Sequence, residues 1–272
     1  MIDLHLHTTA SDGRLSPTDL VARAAIAGVH VLAVTDHDTT DGYDEAAVEA
    51  VRRGVRLVAG IEITAVERGR DVHMLAYFFD RREAGFAAFL AAQRSTRVAR
   101  IADMAARLDA LGLPIDIEAV LTEARTHSSK SIGRPRLARA MIEAGYVATV
   151  REAFDKWLGQ GRPAFVQRTG PSPEDVIAIV HRADGIVSLA HPGRTKLDER
   201  IPALRDAGLD AIEVYHSDHD LEMAGQYLAV AQRLGLLISG GSDFHGDPAE
   251  AIEPGSSTLP EADWIRLRGT RA

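Results

Sequence analysis

The sequence predicts an α/β fold, a distorted seven-stranded (β/α) barrel with an inserted helical lobe. Three observations predict it: seven short runs rich in Val, Ile and Leu recur along the chain, amphipathic helical stretches separate most of them, and the alternation lapses once, between residues 83 and 165. Near-continuous apolar strands separated by helices indicate a parallel sheet covered by helices. Seven such strands in 272 residues suit a closed or distorted barrel better than an open sheet.

The first strand is IDLHLH (2–7). Behind it Ser16 reads as an N-cap, Pro17 as the first helical position and Asp19 as a first-turn acid, so a helix starts at residue 17. The next strands are VHVLAVTDH (29–37), RLVAGIEITA (56–65) and DVHMLAYFF (71–79). From there the periodicity is helical over 83–111, 116–127, 135–144 and 149–158, with breaks at Gly-Leu-Pro and Gly-Arg-Pro. Strands resume as GIVSLAHP (185–192), DAIEVYHS (210–217) and LLISGGSDFH (236–245). The expected organisation is a barrel of residues 1–82 and 166–272 and a helical insertion, 83–165, covering the barrel mouth. No internal repeat or low-complexity tract is present, and the stretch from Pro248 onward carries no functional assignment.

Apolar residues make up 46% of the chain and charged residues 26%, as in an ordinary globular enzyme. A net charge of −8 argues against a broad basic surface for duplex DNA but leaves room for a phosphorylated ligand held by local arginines or metal ions. Cysteine is absent, so disulfides and thiolate metal sites are impossible and any metal is held by imidazole, carboxylate and water. No apolar run reaches the length of a membrane span and the N-terminal residues lack a signal pattern, so a cytoplasmic setting is expected.

The histidines collect at strand ends. His5 and His7 alternate on one face of the first strand, and Asp12 follows in the next loop. His37 ends the second strand in TDHD, Glu62 lies near the end of the third in GIEIT, and His73 lies on the fourth. His191 ends the fifth in AHPGR, and Asp243 and His245 end the seventh in GGSDFHG. Each fragment has an ordinary explanation; TDHD, for instance, could cap a helix through Asp38 or Asp41. Their convergence on the rim where barrel active sites gather does not. So many polar groups packed together cost several kcal/mol unless compensated, and divalent cations compensate them. Nitrogen and oxygen donors without sulfur suit Zn, Mn or Fe, and at about four to six ligands per ion the set fits two or three ions.

DLHLHTTASDG, AVTDHDT, GIEIT, HMLAYF, LAHPGR and GGSDFHG, in this order, resemble the PHP (polymerase and histidinol phosphatase) family of metal-dependent phosphoesterases over residues 2 to about 247. The resemblance implies a trinuclear site with ligands His5, His7, Asp12, His37, Glu62, His73, His191, Asp243 and His245, and it leaves no ligand position empty. It is nearest to stand-alone bacterial enzymes with a helical insert, among them 3′,5′-nucleotide bisphosphatases, 5′-to-3′ exoribonucleases and a cyclic-phosphate dihydrolase. In that branch GRPRLARAM commonly has histidine where this chain has Arg136, and WLGQGRPAFV has lysine where this chain has Arg162.

A metal-activated water attacking a phosphate ester needs no serine or cysteine nucleophile, and neither a GxSxG nor a P-loop motif is present. Asp12, His191, Asp243 and His219 are the expected catalytic residues. Arg134, Arg136, Arg194 and His219 are the expected substrate contacts, because arginine's planar fork matches phosphate and helix N-termini favour anions. His216 is a further rim candidate, whereas His30, His127 and His181 read as ordinary. The expected ligand is a phosphorylated small molecule or nucleotide, including short RNA, with no membrane partner; the oligomeric state is not legible. The preferred substrates are 3′,5′-bisphosphonucleotides or short oligonucleotide 5′ ends, with a cyclic-phosphate dihydrolase or another small-molecule phosphatase as the alternative; the further competing readings are amide hydrolysis at the same metals and a non-catalytic metal-binding module serving a partner protein.

Overall fold

The computed structural model describes residues 1–118, 121–122, 131–249 and 251–270. Seven strands follow one another in sheet order exactly as in the chain: β1 (Ile2–Leu6), β2 (Val31–Val34), β3 (Arg56–Glu67), β4 (Arg70–Tyr77), β5 (Ile186–Leu189), β6 (Ala211–His216) and β7 (Leu237–Gly241). The ring is drawn together between β7 and β1, where the His7 amide donates to the Phe244 carbonyl (3.0 Å) and the Asp243 amide to the His5 carbonyl (2.9 Å).

The sheet is parallel except for β4, which runs antiparallel to both β3 and β5. This departs from the all-parallel arrangement expected of the sequence. Glu67 pairs with Arg70, leaving only Arg68 and Gly69 as the connection, with φ of 49° and 74°. Two residues at positive φ make a tight hairpin, whereas a parallel crossover needs a dozen residues or more. The reversal brings His73, in the N-terminal half of β4, to the same rim as the C-terminal ends of its neighbours.

Ten α-helices are described: α1 (Pro17–Ile26), α2 (Gly42–Arg53), α3 (Ala84–Ala110), α4 (Arg134–Glu143), α5 (Val150–Ala153, continuing into a π-helical turn at Phe154–Leu158), α6 (Pro173–Arg182), α7 (Pro192–Thr195), α8 (Ile201–Asp206), α9 (Leu221–Leu234) and α10 (Glu261–Gly269). The Ser16 side chain accepts from the Asp19 amide and Pro17 opens α1, as the sequence indicates. Most of the helix expected over 116–127, and His127 with it, lies outside the described residues.

Three apolar clusters hold these elements. The largest joins the strands to α3, α6, α8, α9 and α10 through side chains such as Ile63, Phe86, Val176, Leu204 and Trp264. A second packs α1 and α2 onto β1 and β2 around Leu6, Leu20 and Phe244. The third is separate and lies wholly within residues 101–164, including Ile101, Met104, Leu137, Met141 and Leu158. Each large aliphatic side chain buried in this way contributes about 1.5–3 kcal/mol. Among the described residues no helix is long and apolar enough to cross a membrane.

Candidate metal centre

Strand alternation sends Ile2, Leu4 and Leu6 into the apolar clusters and leaves Asp3, His5 and His7 on the opposite face, all buried. The loop after β1 turns Asp12 back towards His7. Asp36 secures that loop by accepting from the Thr8 amide (2.8 Å), the Thr8 hydroxyl (2.6 Å) and the Ser11 hydroxyl (2.5 Å). A Cβ at Gly13 would collide with the His7 carbonyl, so only glycine permits this return.

The nine residues drawn from separate strand ends meet. Glu62 stands at their centre: Oε2 lies 3.4 Å from His5 Nε2, 3.3 Å from His7 Nε2 and 3.0 Å from His37 Nδ1. Its Oε1 faces the other way, 2.8 Å from His73 Nδ1 and 3.1 Å from His191 Nε2. Asp243 Oδ1 approaches His5 and His7 at 3.2 and 3.1 Å, and Asp12 approaches His245 at 3.3 Å and His37 and His7 at 3.7 Å. Three overlapping groups within this set have ligand atoms close enough to hold an ion: His7, Asp12, His37 and His245; His5, His7, Glu62 and Asp243; and His37, Glu62 and His73.

The donors fit divalent cations on a physical test. His5 Nε2, both ring nitrogens of His7, His37 Nδ1 and Glu62 Oε2 are buried yet complete no hydrogen bond with the protein. Buried polar atoms are nearly always paired, and leaving one unpaired costs about 1–3 kcal/mol. Several orphans facing one another are the pattern left by a ligand set whose partner is a cation.

Electrostatics point the same way. Burial alone would push the carboxyls of Asp12, Glu62 and Asp243 up, but the surrounding imidazoles overcome it and hold all three well below the usual range. Burial would lower His7, yet Asp243 and Glu62 raise it to about 10. Burial wins at His37, which falls to about 3, and at His191, which is lowered.

A second layer fixes these ligands, and most of it escaped the sequence reading. Glu213, fully buried on β6, takes His5 Nδ1 on one oxygen (2.9 Å) and the His191 amide on the other (2.7 Å). This leaves His5 Nε2 directed at the cluster, the usual arrangement of a ligating imidazole. The only signal was an acid three residues before His216 on an otherwise apolar strand. His216 Nδ1 accepts from the Asp218 amide, so Nε2 carries the proton towards Asp243 Oδ2 (3.3 Å). Asp38 caps no helix; it accepts from Arg97 (2.5 Å), Arg168 (3.1 Å) and the Thr64 amide (2.8 Å), beneath the cluster and wholly buried.

A cavity of about 540 Å³ opens over the site, lined by seven of the nine cluster residues and by eight arginines. Arg194 reaches the cluster directly, donating to Asp243 Oδ2 (2.9 Å) and pairing with Asp218 (2.9 Å). Arg134 also lines the cavity, bonded to Asp71 (3.1 Å) and stacked over Phe154. Two expected contacts lie elsewhere. Arg136 points away on α4, 3.6 Å from Glu143, into a smaller cavity. His219 does not reach the cluster, because Nδ1–H donates to the Val214 carbonyl (2.9 Å) and Nε2 accepts from the Gly193 amide (3.3 Å). Both ring nitrogens are thus spent on backbone, and the residue braces the turn that carries His191 and Arg194. His30 contacts the chain's own N-terminus and His181 pairs with Asp210, both away from the site.

Comparison with known proteins agrees with this geometry. The PHP domain family model matches residues 3–147. The 3′,5′-nucleoside bisphosphate phosphatase of Chromobacterium violaceum is 35% identical over 90% of this chain and 87% of its own length. The 5′-3′ exoribonuclease of Haemophilus influenzae is 34% identical over 89% of each. The crystal structure of a protein assigned as a metal-dependent phosphoesterase from Bifidobacterium adolescentis superposes with a TM-score of 0.89, at 34% identity, covering 98% of this chain and 95% of that one.

Proposed function

This chain belongs to the PHP domain family and is a metal-dependent phosphoesterase, and from that premise we propose that it takes phosphate from 3′,5′-bisphosphonucleotides and trims short oligonucleotides from the 5′ end. The reading is carried by one observation: a cage of orphaned imidazole and carboxylate atoms lies at the floor of a cavity walled by arginines. The names of the relatives point to the same substrate class.

His5, His7, Asp12, His37, Glu62, His73, His191, Asp243 and His245 would hold two or three divalent ions of the Mn, Zn or Fe type, and the two oxygens of Glu62 face different imidazoles of this set. Bound ions of this kind supply activation of water near neutral pH and neutralisation of phosphoryl charge. The protein supplies position. His216 and Arg194 hold Asp243 in its orientation, and Arg194, more than half exposed, can exchange Asp218 for a phosphoryl oxygen. The insertion, residues 83–165, brings Arg97, Arg100 and Arg134 to the cavity, where they add positive charge for the rest of a multiply phosphorylated substrate.

The test is phosphate release from adenosine 3′,5′-bisphosphate and from a 5′-phosphorylated trinucleotide by purified protein supplied with Mn. Asp243→Asn should lower turnover by more than about a hundredfold, since even partners outside the ligand shell cost up to that much. Retained turnover in a folded, metal-loaded Asp243→Asn protein would overturn the proposal.

A further inference from the structure

A second cavity, of about 310 Å³, lies behind the loop that carries Asp12, and Arg14, Ile132 and Arg139 are walls common to both cavities. Among the described residues its lining holds three arginines, Arg14, Arg136 and Arg139, and one acid, Glu143; Arg136 pairs with Glu143 (3.6 Å) and Arg14 with Asp247 (3.1 Å). Two atoms in it are buried and complete no hydrogen bond: Ser131 Oγ, on a residue 2% exposed, and Arg139 Nε. Arg139 is anchored by donating through Nη2 to the Asp12 carbonyl (2.6 Å), which leaves its Nε–H unmet.

A hydroxyl and a guanidinium edge, both unmet and buried beside two further arginines, form a donor set without a matching acceptor. The ligand chemistry that answers it is an anion with several acceptor oxygens. We propose that this second cavity is a phosphate-group site, and that in an oligonucleotide it takes the phosphodiester adjoining the phosphate under attack. That assignment rests on the nucleotide reading above. The shared walls support it, because a chain leaving the metal centre past Arg14 and Arg139 meets this cavity next.

Two measurements on the metal-loaded protein test the site. Calorimetric titration with inorganic phosphate should give two sites in the wild type and one in Ser131→Val; Arg136→Gln, at a position 26% exposed, serves as a second variant should Ser131→Val fail to fold. The ratio of kcat/KM for a 5′-phosphorylated trinucleotide to that for p-nitrophenyl phosphate should fall about tenfold in either variant, the size of one lost buried hydrogen bond. A lost phosphate site with an unchanged ratio supports the site with free phosphate as its ligand. A single phosphate site in the wild type, or two in both variants, overturns it. Should the wild type hydrolyse neither ester, the nucleotide phosphoesterase reading fails, while phosphate stoichiometry still decides the cavity.

Discussion

Replacing Glu213 with glutamine isolates the contribution of the layer behind the ligands. Two donors, His5 Nδ1 and the His191 amide, are served by two different oxygens of this carboxylate, at 2.9 and 2.7 Å. An amide has one oxygen, so whichever way the Gln side chain turns, its NH₂ group meets one of those donors. Losing a buried hydrogen bond to a charged acceptor costs about 1.5–3 kcal/mol. At about 1.4 kcal/mol per decade, metal affinity should fall roughly ten- to hundredfold, the range seen for partners of ligating histidines. Activity measured against free metal, buffered by a competing chelator, should shift to higher metal by that factor and recover at saturation. An unshifted curve, or a deficit that saturating metal leaves uncorrected, would refute the reasoning.

The buried Asp38 should behave differently, because Asp38→Asn strands the charges of Arg97 and Arg168. A cost of about 3–5 kcal/mol should lower the melting temperature by roughly 6–20 °C in thermal denaturation. The Asp38 carboxyl is held down despite burial by these arginines, so its contribution is present above the unfolded value of about 4 and lost as pH falls towards the depressed native value. Metal uptake should release protons: burial lowers His7 but the carboxylates raise it to about 10, so the metal-free site carries a proton that ligation expels, and affinity should rise with pH between about 6 and 9. Calorimetry in two buffers of different ionisation enthalpy reads this directly, and identical heats would contradict it.

The cluster residues were legible because most stand at recognisable strand ends, and the H-x-H pair fixed its own face by strand alternation, while Asp12 in the loop after β1 and His73 within β4 were read from their motifs. The antiparallel β4 was missed although its signal was present: five residues between predicted strands are too few for a crossover. Reading it would have placed His73 on the rim by argument instead of by proximity to its motif. Glu213 and the Asp38–Arg97–Arg168 triad were illegible for a different reason. Their partners are distant in sequence (Asp38 and Arg168 are separated by 130 residues), and an isolated buried charge on a strand or loop announces no partner. His219 illustrates the converse error. It belongs to a motif near the mouth, but direction is set by neighbours, and a backbone carbonyl and amide within reach redirect the ring, whereas Arg136 turns from the metal centre into the second cavity.

How far the metals shape the site can be argued from the backbone. Asp38, His191 and Asp243 all sit at positive φ, 52°, 27° and 56°, a conformation that costs of order 1–3 kcal/mol each for a side-chain-bearing residue. Each is held there by its own amide: Asp38 donates to the Glu62 carbonyl (2.9 Å), His191 to Glu213 (2.7 Å) and Asp243 to the His5 carbonyl (2.9 Å). These bonds tie one strand end to another without any cation, and the apolar clusters beneath them contain no ligand. The rim is therefore built before metal arrives. Chelation should abolish activity while leaving the far-ultraviolet circular dichroism and a cooperative melt intact. Metal returned at a hundredfold excess over its Kd should then add about 2.7 kcal/mol, or roughly 5–11 °C. Loss of cooperative unfolding on chelation would mean that the cations, not the amide bonds, hold the strand ends together.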